Sequence, residues 1–238
     1  MPARVTTPSV RAVSFDVYGT LVDIQTDENR PAVWAGLARE LGRHGLAARA
    51  DELRRAYREE VRGRLRDRAE RHPEIDVRRI FATLVNRLGG PEDLRLATVL
   101  TRRFRALSTV RLAAFPDALP TLHALRGRVA IAAVTDAQRL FLEPELRAVG
   151  LAGRFDVLVV SSDHGFRKPD PRIFRLAVER LHVPAATTLH VGDNPRRDVA
   201  GALDAGLLGV HLDRTATALR VPRTVSSLLD LLRWLDQA

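Results

Sequence analysis

Ser14-Phe15-Asp16-Val17-Tyr18-Gly19-Thr20-Leu21 is the stretch from which the fold can be worked out. Residues Arg11 to Phe15 alternate into an apolar run that predicts a buried strand, and Gly19 with Thr20 breaks it. Asp16 thus falls at a strand end. From about Ile24 to Leu107 the pattern changes. Strand signals stop, and Val33, Leu37 and Leu41 form one apolar stripe at helical spacing, with Ile80, Leu84, Val85 and Leu88 forming another. This predicts an all-helical insert over residues 24–108, folded apart from the rest as a cap.

Beyond Phe115-Pro116-Asp117, strands alternate with helices. Buried-strand runs cover 129–134, 155–160, 188–191 and 208–212; helical patterns cover 139–149, 170–181, 198–205 and 225–236. That rhythm predicts an α/β fold, a Rossmann-like parallel sheet with helices on both faces, built from residues 1–23 and 109–238. In open sheets of this kind, ligands sit beyond the carboxyl ends of the strands.

Composition narrows the function classes. The 238 residues are enough for one α/β core with a small inserted unit. There is no Cys, which excludes thiolate nucleophiles, disulfides and Cys-ligated zinc and makes a cytoplasmic setting the expectation. No apolar run reaches the roughly 18–20 residues of a membrane span. Residues 1–8 have no apolar core of the kind a secretory signal needs, so none is expected. The net charge of +9 favours anionic ligands. Arginines are interleaved with acids, as in Asp67-Arg68-Ala69-Glu70-Arg71, with no basic stripe carrying aromatics, so nucleic acid is not the expected partner. Of 38 basic residues only Lys168 is a lysine. A coding bias toward Arg explains the excess; the one survivor marks a place where a compact point charge serves and a planar fork does not.

Candidate chemistry lies just after the predicted strands. The first leads to Asp16, Tyr18 and Thr20, the next to Thr135 and Asp136. The third leads through Ser161-Ser162-Asp163-His164 to Lys168, and the fourth to Asp193, Asn194 and Asp198. Three carboxylates converging on one sheet edge repel unless a cation sits among them, and hard oxygen ligands suit Mg²⁺.

This constellation resembles the haloacid-dehalogenase-like hydrolase superfamily. Asp16-Val17-Tyr18-Gly19-Thr20 is similar to its first motif, Thr135 to the second, Lys168 in Arg167-Lys168-Pro169-Asp170 to the third, and Gly192-Asp193-Asn194-Pro195-Arg196-Arg197-Asp198 to the fourth. The helical insert falls where that family places a cap. The resemblance implies that Asp16 attacks the substrate and forms a covalent ester. It implies a catalytic set of Asp16, Tyr18, Thr20, Thr135, Asp136 and Lys168. Substrate contacts would come from Thr135, Asp136, Lys168 and Asn194, and Mg²⁺ would be held among Asp16, Tyr18, Asp193 and Asp198.

Two motifs depart from the family pattern in opposite directions. Family phosphatases carry a second Asp two residues after the nucleophile, as acid and base; here that residue is Tyr18, as in the dehalogenase branch. Dehalogenases carry Ser, Asn and Tyr where this chain has Asp193, Pro195 and Phe174. A Mg²⁺-dependent phosphatase of a small anionic, phosphorylated metabolite is the expected function. The alternatives are hydrolytic displacement at carbon and an impaired protein that binds a phosphorylated ligand or a partner. Asp136, Asp27 and Glu28 are candidate replacements for the absent Asp, and the protein is expected as a monomer or homodimer.

Other residues have plainer readings. His190 is expected in the core, His164 on a surface loop, and Asp23 beside the first turn. Arg30 is a candidate substrate contact, with packing of it and Trp34 in the insert as the alternative. The run Arg54 to Arg71 is read as a solvated helix face with acid–base pairs one turn apart, or as a surface that attracts an anionic substrate.

Overall fold

A computed structural model describes residues 9–66, 70–91, 94–216 and 221–237. Residues 1–8, expected to hold no signal, and 67–69, within the Arg54–Arg71 run, lie outside the described residues.

Six strands form one sheet: β1 (Ala12–Phe15), β4 (Ala130–Thr135), β5 (Val157–Val160), β6 (Thr188–Gly192), β7 (Leu208–Leu212) and β8 (Thr224–Val225). Their order is β5-β4-β1-β6-β7-β8, and every neighbouring pair is parallel. β1 is central, with Phe15 beside Ala133 on one side and Val191 on the other. The α/β sheet with helices on both faces is as the sequence predicts.

Alternation along the strands assigns residues to two cores. Val13, Phe15, Ile131, Ala133, Leu189 and Val191 face one layer, with α5 (Ala118–Leu125), α6 (Arg139–Ala148) and α9 (Leu228–Gln237). Ala132, Val134 and Val159 face the other, with α7 (Pro171–Leu181) and α8 (Gly201–Asp204). Helix α5 is absent from the sequence reading: its eight residues include Pro120 and give too short a periodic run.

Helices α1 (Pro31–Arg43), α2 (Ala50–Arg66), α3 (Val77–Arg87) and α4 (Leu94–Ser108) share an apolar cluster of their own, which borrows Phe141 from α6. Trp34, Tyr57, Phe81 and Phe104 form its centre, with ring centroids 5.2–5.6 Å apart. Burying such rings contributes several kcal/mol, and truncating one costs about 3–5 kcal/mol.

The expected junction differs. Ile24–Thr26, expected to open the helical stretch, belong to β2 (Val22–Thr26), which pairs antiparallel with β3 (Thr109–Ala114). The 23/24 division therefore falls inside β2. A two-stranded ribbon that is half-buried along most of its length, without burial alternating from residue to residue, carries only a weak signal, so the sequence conceals it. The segment after β6 also differs: residues 195–200 make a wide π-type turn before α8 begins, in place of one helix over 198–205. Asn194 Oδ1 accepts from the Arg196 and Arg197 amides there, and Asp198 points inward, buried. Such turns recur at functional sites.

Candidate active site

The carboxyl ends of three adjacent strands set the site. Asp16 follows β1, Thr135 ends β4, and Asp193 follows β6. The Asp16 amide still donates to Val191 O at 2.9 Å, so the nucleophile candidate is held in line with its strand. After β5 the chain turns through Ser161–Asp163 and returns to place Lys168 beneath the same edge.

Lys168 is 3% exposed. Its ammonium donates to Asp16 Oδ1 at 2.7 Å and to Asp198 Oδ1 at 2.6 Å. Burial by itself favours a neutral amine, but Asp16, Asp198 and Asp136 outweigh it and push the Lys168 pKa up. Burial likewise pushes Asp16 up, to about 7, with Asp198 and Asp193 adding to the effect and Lys168 opposing it. Burial opposes ionisation of Asp198 too, yet Lys168 holds that carboxylate below its usual range. Of the two carboxylates that share the ammonium, Asp198 is the settled anion and Asp16 the adjustable one.

Asp193 completes the edge. Asp16, Asp193 and Asp198 each offer an oxygen within 4.8 Å of the others. The one ammonium pairs with two of the three carboxylates and the Arg197 charge reaches the third, so the edge carries surplus negative charge when all are ionised. Burial and the Asp198 charge raise the Asp193 pKa. Asp193 Oδ1 is buried and has no hydrogen-bond partner among the described residues. An orphaned buried oxygen beside surplus negative charge fits a hard divalent cation. Gly19 permits the close approach. It holds φ +88°, and a Cβ there would lie 2.6 Å from Asp193 Oδ2.

Other strand-end groups are also left unpaired. The buried hydroxyls of Thr135 and Thr20 have no partner among the described residues. Asp136 Oδ1 accepts from the Lys168 amide at 2.9 Å, while its buried Oδ2 is unpaired, with Arg197 3.9 Å away. Asn194 is spent on its own turn: its side chain caps two amides, and its amide donates to Asp198 Oδ2 at 2.9 Å.

Tyr18 takes a different path. Its phenol donates to Glu145 on α6, and Glu145 Oε1 accepts from Arg105 of α4 at 2.6 Å. The Arg105 guanidinium lies 5.5 Å from the Tyr18 ring centre. Burial, then the Glu145 charge, raises the phenol pKa far above its ordinary value. The phenol thus stays protonated and joined to Glu145. Its hydroxyl is bonded to Glu145 and does not join the carboxylate trio.

A cavity of about 640 Å³ opens beside these residues. Tyr18, Asp136, Arg167 and Arg197 wall it from the sheet side; Arg58 and Arg62 of α2 wall it from the helical side, with Glu28 between. Arg30 stands exposed at the start of α1 and is not among the cavity's lining residues. Trp34 packs in the aromatic centre and donates from Nε1 to Glu28 O at 2.8 Å. Asp23 pairs with Arg111 on the ribbon, and Asp27 accepts from the Asn29 amide. His190 is buried against Phe174 and bonded to Ser14, as its strand position predicts. His164 lies on its loop against Phe166.

Sequence reading missed Glu74, Gln138, Glu145 and Arg105. Glu74 accepts from Ser161 Oγ at 2.6 Å, and Gln138 bonds Ile75 O and the Val77 amide, tying the helical unit to the strand ends. Their partners lie 40–127 residues away in sequence, so no local pattern marks them.

A buried ammonium among three carboxylates at the carboxyl ends of a parallel sheet is an arrangement suited to a hydrolase. The chain belongs to the haloacid dehalogenase-like hydrolase family, whose model matches residues 10–206. It is 29% identical over 213 residues to glyceraldehyde 3-phosphate phosphatase of Methanopyrus kandleri, a match covering 86% of this chain and 84% of that protein. It is 30% identical over 208 residues to (S)-2-haloacid dehalogenase 1 of Pseudomonas sp. (strain CBS-3), covering 86% and 85%. Among solved structures, a 2-haloacid dehalogenase from Pseudomonas syringae pv. Tomato DC3000 superposes with a TM-score of 0.71 at 25% identity, covering 96% of this chain and 99% of that one. A phosphatase and a dehalogenase stand at nearly equal similarity, so the choice of bond broken rests on the site itself.

Proposed function

We propose that this hydrolase cleaves a phosphomonoester with the help of Mg²⁺. One observation carries the reading: the Asp16, Asp193 and Asp198 carboxylates crowd within 4.8 Å against a single ammonium. Displacement of halide at carbon has no use for that surplus charge. A divalent cation neutralises it and, when bound, stabilises charge on the transferring phosphoryl group.

In this reading an Asp16 carboxylate oxygen attacks phosphorus, a P–O bond to Asp16 forms, and the P–O bond to the leaving alcohol breaks. Lys168 and the Thr135 hydroxyl steady the phosphoryl oxygens. Asp136, with one carboxylate oxygen fixed by the Lys168 amide and the other unpaired, gives its proton to the leaving oxygen. It then takes a proton from the water that attacks phosphorus and releases phosphate, returning Asp16 to its carboxylate. Tyr18 is excluded from that duty by its bond to Glu145 and its raised pKa. The four helices over 24–108 act as the cap that covers the reacting group.

The test is turnover of a phosphomonoester panel and a 2-haloacid panel, each with Mg²⁺ and with excess chelator. Phosphate release that needs Mg²⁺ is expected. Halide release that persists under chelation refutes the proposal.

A further inference from the structure

We infer that the substrate carries a second anionic group, a carboxylate or a second phosphate, at the end remote from the reacting phosphoryl group. The inference rests on the phosphohydrolase reading and specifies its substrate class.

The observation is the state of the arginines on the cavity wall. Arg58 and Arg62 both line the cavity and lie one turn apart on α2. Like charges at that spacing repel. On the same helix Arg55 faces Asp51 at 3.7 Å and Arg64 bonds Glu60 at 2.9 Å, whereas Arg54, Arg58, Arg62 and Arg66 form a row of like charges at four-residue spacing. The cavity pair has no such relief. Arg58 bonds only the neutral side chain of Asn29, and Arg62 has no side-chain hydrogen bond or ion pair among the described residues. Across the cavity, Arg167 makes no ion pair among the described residues, and the oxygens of nearby Glu74 are engaged by Ser161 and the Ile75 amide. By contrast Arg105, on the same wall, is fully answered by Glu145.

The negative side chains do not cancel this field. Glu28 and Glu74 are the acids of the helical unit that line the cavity, and burial raises the pKa of each, with Arg105 opposing at Glu28 and the Ser161 bond opposing at Glu74. The phosphoryl group itself does not account for the arginines, because Lys168 and the unpaired Thr135 hydroxyl already serve it from the sheet side. The cavity wall also offers apolar surface from Ile24, Tyr57, Val61 and Ile75. A ligand of matching character has a phosphate at one end, an uncharged body and an anion at the other, where paired guanidinium groups bind bidentately.

The test compares n-alkyl phosphates with ω-carboxyalkyl phosphates and α,ω-alkanediol bisphosphates over a series of rising chain length. At the best length, kcat/KM is expected to favour an acid-tailed ester over its neutral counterpart by about 10- to 100-fold, the worth of a charge-assisted bond. The carboxylate and phosphate arms identify which second anion is taken. In Arg62→Ala and Arg58→Ala the ratio falls toward one, and Arg62→Lys restores part of it. A flat ratio at every length overturns the inference, as does a ratio unchanged in both alanine variants. Equilibrium binding of the same ligands to Asp16→Asn reads the cavity without chemistry. If no phosphomonoester is hydrolysed but that binding still favours acid tails through Arg62, the phosphohydrolase reading fails and the anion subsite stands.

Discussion

Two clusters flank the Asp16 loop, and they differ in what they leave unpaired. On the sheet side, three carboxylates face one ammonium, and Asp193 Oδ1, Asp136 Oδ2 and the Thr135 hydroxyl have no hydrogen-bond partner among the described residues. On the helical side, Tyr18, Glu145 and Arg105 satisfy one another across the junction between α4 and α6. Both clusters are buried and charged. Burial of an unpaired polar group costs about 1–3 kcal/mol, so several gathered at one edge call for partners from ordered water or a ligand. The contrast separates a place built for chemistry from a place built to hold two parts of the chain together.

Substitutions test that division, beginning with the largest effect. Asp16→Asn is expected to lower phosphomonoester turnover at least about 10⁴-fold while leaving the fold intact, checked by steady-state kinetics beside circular dichroism. Lys168→Met leaves the buried Asp16 and Asp198 carboxylates without their ammonium and is expected to cost about 3–5 kcal/mol in urea unfolding. Added Mg²⁺ recovers part of that loss, because it supplies the charge that was removed. Lys168→Met that unfolds like the parent protein contradicts the electrostatic account of the edge.

Asp136→Asn probes the proton donor. Turnover of alkyl phosphates is expected to fall about 10²- to 10⁴-fold. Esters whose alcohol leaves readily as an anion lose much less, so the slope of rate against leaving-group pKa steepens. Equal losses for both ester classes assign the proton to another group. Tyr18→Phe is the smallest change. Glu145 keeps its two bonds to Arg105, so the expected cost is about 1 kcal/mol of stability with turnover within a few-fold of the parent. A loss as large as that of Asp136→Asn makes Tyr18 part of the reaction and dissolves the division between the clusters.

The sheet side was legible in the sequence because each group follows directly on a buried strand. Parallel strands ending at one edge bring Asp16, Thr135 and Asp193 together, whatever lies between them. Lys168 stood out by composition, as the one lysine among 38 basic residues. The helical side left no such mark. Glu145 sits mid-helix, 127 residues from Tyr18 and 40 from Arg105, in a position that reads as an ordinary solvated acid. Arg58 and Arg62 were visible only as part of an Arg-rich run. Which arginines met acids and which met the cavity depended on how α2 is rotated, which periodicity alone does not fix. The ribbon β2–β3 escaped because its burial does not alternate from residue to residue.

Calorimetric titration with Mg²⁺, run in parallel on the parent protein and on Asp193→Asn, tests the central claim most directly. The account predicts one ion bound per chain in the parent, with binding abolished or weakened about 100-fold in the variant. Absence of binding to the parent, or equal binding to both proteins, contradicts it.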